Sequence, residues 1–210
     1  MFFRLISTRP LMCGIYAITV AMAMLLAGCS SPDFANPPPD AYLSPLPAAI
    51  NGTWANEVEN GERVRLSGQK DGTLKLYFSN TKPNAEPTPE EPLLAQTLRF
   101  DNTDWILLDF RKLAEWQKGD PYTDHSPYRL IKYVLENPDR LCGIEMNPAV
   151  FAEAVKSGKL EGTVVAPPPR MPQPPRVTIT SPGEDWVKWW IAQPEDKKSF
   201  GHSWCFTRAK

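Results

Sequence analysis

Histidine is scarce: His125 and His202 are the two in 210 residues. A three-histidine metal site is therefore excluded, and no paired spacing of metal-ligating residues occurs. The sequence also lacks a Gly-x-Ser-x-Gly elbow and a phosphate-cradling glycine loop, so neither an exposed serine nucleophile nor a nucleotide cradle is encoded in those forms. Charge of one sign is not in surplus. With 23 Lys and Arg against 24 Asp and Glu, the net charge is −1 and the pI about 6.2. Domains that grip nucleic-acid phosphates are strongly basic, so nucleic acid is not an expected partner. No cofactor is expected, no internal repeat is visible, and an enzyme is the less favoured class.

What the chain has instead is proline, 23 residues of it, about twice the usual share. Prolines in that number exclude a mostly helical bundle. They cluster in Asn36–Pro47, Asn80–Pro92 and Ala166–Pro175, which leaves the rest of the chain free to form strands.

The first 28 residues carry Arg4 and Arg9, no acid, and an apolar run from Leu11 to Leu26. That is the layout of a secretory signal. The run closes in Leu26-Ala27-Gly28-Cys29, which resembles the lipobox of bacterial lipoproteins. The resemblance implies cleavage before Cys29 and acylation of its thiol and new amino group. With three chains expected, anchoring is in effect permanent, because two already suffice. In that family an Asp after the Cys retains the protein in the inner membrane; Ser30 stands here, which implies the outer membrane, with the domain on its periplasmic face. Loss of residues 1–28 removes two basic residues and no acid, leaving a mature chain of net −3. The expected membrane contact is therefore the lipid anchor, not an electrostatic one.

Residues 29–49 read as the acylated Cys and a Pro-rich tether. About 20 residues in polyproline II would reach roughly 60 Å. The alternative is that Phe34, Tyr42 and Leu43 dock this stretch on the domain's own surface. Removal of Cys13 and acylation of Cys29 leave Cys142 and Cys205, and in an oxidising compartment a lone pair is most simply a disulfide.

From residue 50 to 210 one domain is expected. Strands are predicted over 62–67, 73–78, 95–100, 105–110, 128–136, 140–146, 159–165, 176–180 and 202–208, several joined by polar turns. Asn147-Pro148 predicts a helix N-terminus and Gly158 its end. Ser181-Pro-Gly-Glu184 reads as a capping box opening a second helix, and residues 112–117 as one helical turn. The fold class is mainly β (α+β): a curved antiparallel sheet or incomplete lipocalin-like barrel of about eight strands with two packed helices.

Two features carry candidate function. Trp186, Trp189 and Trp190 lie on one broad helical arc, either as core against the sheet or as a binding surface, with Trp189 at the arc's edge. His125 lies in the polar loop Asp120–Pro127, either as a general base or as a loop residue bonded to backbone. Gly52-x-Trp54 with Arg208 after the last strand resembles the calycin arrangement of lipocalins and avidins, which implies that Arg208 stacks on the Trp54 ring at one end of a barrel. The segments Trp105–Phe110, Tyr128–Tyr133 and Ser157–Gly162 resemble bacterial envelope lipoprotein domains, which implies an autonomous envelope domain and says nothing of its activity. The leading expectation is a membrane-anchored binding or assembly module with an envelope protein partner. A lipocalin-like carrier of a small apolar ligand is the second reading, and a hydrolase using His125 or a carboxylate pair the third.

Overall fold

The walls of the molecule follow from alternation. In β3 (Arg63–Gly68) and β4 (Thr73–Phe78) every second residue is apolar, and Val64, Leu66, Leu74 and Leu76 are buried on one side. Period-two patterning of this kind puts one face of each strand inward. The computed structural model describes residues 31–57, 63–79, 92–116, 127–167, 174–195 and 198–209. Its other long strands are β2 (Gly52–Asn56), β5 (Leu93–Phe100), β6 (Thr103–Asp109), β7 (Tyr128–Asn137), β8 (Arg140–Met146) and β11 (Phe200–Arg208), with short strands β1 (Asp33–Phe34), β9 (Gly162–Val165) and β10 (Arg176–Ile179).

These strands close a ring, in the order β6-β5-β4-β3-β2-β11-β8-β7, with β7 pairing back onto β6. Every pairing in the ring is antiparallel. The result is a lipocalin-like eight-stranded barrel, closed where the sequence suggested an incomplete one. Closure leaves no edge in the ring. Its register is staggered: Leu66 late in β3 is level with Leu76, which is level with Leu93 at the very start of β5.

The barrel interior is packed by Trp54, Val64, Leu66, Leu74, Leu76, Leu93, Leu108, Ile131, Tyr133 and Leu141 among others. Gly143 on β8 lies under the Trp204 indole; a Cβ there would stand 2.8 Å from the ring. Outside the wall a second core forms, because Leu98, Phe100, Trp105, Leu107, Leu130 and Met146 on the outer face are also buried. They are covered by α2 (Pro148–Lys156), α3 (Gly183–Ile191) and the β1-β10-β9 flap, in which β1 runs parallel to β10. A strand buried on both faces reads as a continuous apolar run, as Trp105-Ile-Leu-Leu108 does.

Local signals set the helices. Asn147 Oδ1 accepts from the Ala149 N–H and Pro148 occupies the first helical position of α2, while Gly158 at φ 70° ends it. The capping box expected at α3 is not formed. Ser181 Oγ accepts from the Glu161 N–H instead, and Pro182 caps without a side-chain bond. The turn expected at 112–117 is α1 (Phe110–Trp116), a third helix. Cys142 and Cys205, opposite each other on β8 and β11, are joined by a disulfide.

The free tether is corrected for its described part, residues 31–49. Phe34 is fully buried in the outer core between Phe151 and Trp186. Asn36 donates to the Thr180 and Ser181 carbonyls, and its own carbonyl accepts from Trp186 Nε1. Tyr42 packs on Phe100, Leu43 bridges to Leu98, and Leu46 is buried against Gly68. The prolines thus stiffen a strap on the barrel wall. Polyproline II has no internal hydrogen bonds, so its backbone groups are free to bond a neighbouring surface.

Candidate functional site

One end of the barrel is sealed by the strap's last turn, Ala48–Ile50. Trp54 is fully buried and its Nε1 donates to the Ile50 carbonyl at 2.8 Å. The Arg208 guanidinium lies 4.3 Å from the Trp54 ring centroid. It also donates to the carbonyls of Ala49, Asn51 (3.3 Å) and Pro138 (2.9 Å). Gly52 is required twice over: its φ is +136°, and a Cβ there would meet Arg208 Nη1 at 2.9 Å. The Gly-x-Trp and Arg208 pattern therefore has the geometry that its calycin resemblance implied.

The opposite end is covered by α1 and by the entry of β1. Phe110 and Leu113 of α1 are buried in the inner core, and Trp116 packs on Phe78. Arg129 of β7 donates to Asp33 Oδ1 from Nε at 3.1 Å and Nη2 at 2.7 Å, while stacking on Phe110 at 4.8 Å. Arg176 reaches the same carboxylate at 3.9 Å. Nearby, Arg111 bonds both Asp109 carboxylate oxygens and the Tyr128 hydroxyl. Burial alone would raise the Asp109 pKa, but the Arg111 side chain and N–H outweigh it and hold it below the usual range. The same contact raises the Arg111 pKa.

One acid occupies an inward strand position that alternation would assign to an apolar residue. Glu145 on β8 is 1% exposed and pairs with inward-facing Ile131, so it shares that strand position's inward face. Its only signal was an acid inside the strand run Leu141–Met146. His202, exposed, stacks on Trp204 with ring centroids 6.2 Å apart. Sequence reading missed the Asp33–Arg129 pair altogether, because Asp33 sits in what composition marks as linker.

The tryptophans do not form the candidate binding surface. Trp186 and Trp190 are 0% and 1% exposed, and Trp189 is partly buried against the same core. They belong to an aromatic network in which Trp190 stacks on Phe151 and meets Trp105 edge-on. On the opposite, solvent side of the helix, Lys188 and Glu184 pair at 2.6 Å. Cys29, His125 and the centre of the 166–175 loop lie outside the described residues.

Among the described residues, one cluster of three metal-ligand types occurs, Glu136 with Cys142 and Cys205. Both sulfurs are in the disulfide and have no thiolate to offer a metal. The two best-formed hollows, of about 390 and 330 Å³, both open to the surface. The first is lined by Asn51, Arg65 and Tyr77 among others, the second by Pro47, Asp104 and Lys132 among others. On the described inward face, the side chains of the inner core pack against one another. No known family matches the chain, and no curated protein or solved structure matches it either.

Proposed function

We propose that this is a lipid-anchored envelope protein on the periplasmic face of the outer membrane, serving as a non-enzymatic binding or assembly module through its outer surface. The observation that carries the reading is the filled interior: Trp54, Tyr133, Phe110 and the surrounding leucines occupy the space in which a carrier would hold its ligand. The lipobox-like Leu26–Cys29 supports the anchor, and a disulfide between Cys142 and Cys205 fits an oxidising compartment. The acylated chain holds the barrel at the membrane, and the partner is an envelope protein.

The lipocalin-like closed end favours a second reading, a carrier of a small apolar ligand. Crosslinking in intact cells followed by mass spectrometry, with native mass spectrometry of the purified protein, separates the two. The module reading expects one recurrent protein adduct and a native mass equal to the acylated chain. A stoichiometric extra mass of a lipid overturns it in favour of the carrier. Cys29→Ala should abolish palmitate labelling, and a variant that is still labelled refutes the anchor.

A further inference from the structure

The anchor and the folded body are much closer together than the proline content suggested. Asp33 is fixed by Arg129 and by pairing with Thr178, and Phe34 by pairing with Ile179 and Tyr128. Three residues lie between Cys29 and Asp33, and the four steps from one to the other, at no more than about 3.6 Å each, span at most about 14 Å. A chain acylated at Cys29 therefore has no room to stand away from the bilayer.

We infer that the molecule rests on the bilayer in a defined orientation, with the edge around the β1 entry apposed to the phospholipid headgroups. This rests on the acylation of Cys29 proposed above. Because β1 and β10 are parallel, Arg176 at the start of β10 lies on the side from which the chain arrives, and Val165 of β9 is its direct partner. Val165 is 60% exposed and the Arg176 side chain 63%. Arg111 and Lys112 at the start of α1 are exposed close by, Arg111 through its bond to Tyr128, the partner of Phe34. Asp33 is buried against Arg129 and Arg176 and Asp109 is paired with Arg111, so at this edge Arg111, Lys112, Arg129 and Arg176 outweigh the two acids they hold. An apolar side chain among outward cations fits a headgroup layer carrying anionic lipid, even though the mature chain as a whole is acidic. The closed end, with Lys70 in the β3–β4 turn, then points into the periplasm as the free surface.

The test uses the full-length acylated protein in vesicles of phosphatidylethanolamine and phosphatidylglycerol. A photo-crosslinking amino acid is placed at exposed Val165 in one variant and at exposed Lys70 in another. The Val165 probe is expected to give several-fold more lipid adduct than the Lys70 probe. Inserting a Gly-Ser spacer of about 30 residues between Ser30 and Ser31, with a root-mean-square reach of about 30 Å, should bring that ratio close to one. Intact mass is read on the same samples. Absence of acyl mass overturns the anchor and this inference with it. An acylated protein whose two probes give equal adduct, or whose ratio ignores the spacer, leaves the anchor standing and overturns the orientation.

Discussion

The inner and outer cores of this protein share strands β5 to β8 but are filled with different residues. The inner one is largely leucine, with Trp54, Tyr133 and Phe110 as its buried rings. The outer one is a network of rings in which Phe34, Phe100, Trp105, Phe151, Trp186 and Trp190 touch one another. A barrel fixes its own interior geometry, so branched aliphatic side chains at alternate positions suffice there. The outer core joins two helices to the wall, the flap and the strap, with only the short β1 linking flap and strap to the ring by a ladder, and large flat rings bridge such irregular gaps with much area per residue. The difference explains why a helix carrying three tryptophans is structural here.

The comparison can be broken most severely at Trp186. Trp186→Ala should cost about 3–5 kcal/mol, read as a fall in the urea midpoint; a stability within error of wild type would mean the ring is not core. Leu74→Ala in the inner core should cost about 2–5 kcal/mol. Because β6 and β7 belong to both cores, fluorescence and circular dichroism should report one coincident transition in either variant. Two separated transitions would show that the cores unfold independently.

Removing the disulfide with a Cys142→Ser, Cys205→Ser double variant should cost about 2–4 kcal/mol, measured on the same curves against the oxidised wild type. Gly183→Ala tests the strap alone. A Cβ there would lie 1.8 Å from the Pro37 carbonyl oxygen, and forced repacking costs about 1–3 kcal/mol. Faster proteolysis near Pro37 with the barrel intact is the expected signature, and unchanged cleavage would contradict the docking.

The smallest effect concerns Lys198, 4% exposed at its side chain and paired with Asp101 and with Glu195 at 3.1 Å. Burial acts to lower its pKa, but the two carboxylates outweigh burial and raise it. A raised folded-state value gives stability that is complete below the unfolded pKa of about 10.4 and is lost as pH rises through the folded one. Lys198→Met should flatten that alkaline loss in thermal unfolding, and an identical alkaline limb would discount the pair.

Most of the barrel was legible because period-two alternation and polar turns are local signals, and the antiparallel hairpins that follow need no long-range information. The closed end was legible from Gly52, Trp54 and Arg208, whose roles are specific enough to survive distance. Ring closure was not, since the β6–β7 pairing depends on stagger around the whole sheet. The strap was misjudged because proline density reports the lack of regular structure and says nothing about docking. Phe34, Tyr42 and Leu43, the apolar residues of that run, carried that information, and the docked alternative they offered is the one found. Ser181 was misassigned because its hydroxyl had a better partner in Glu161, 20 residues away.

The strap also bears on the order in which the fold is completed. Asn36 bonds residues 144 to 150 positions further along the chain. In a polypeptide that emerges N-terminus first, those partners appear only when nearly everything else is already out, so the strap stays undocked while the ring strands pair. Completion of α3 is what ends that interval, which makes this late helix the clasp of a segment laid down near the beginning.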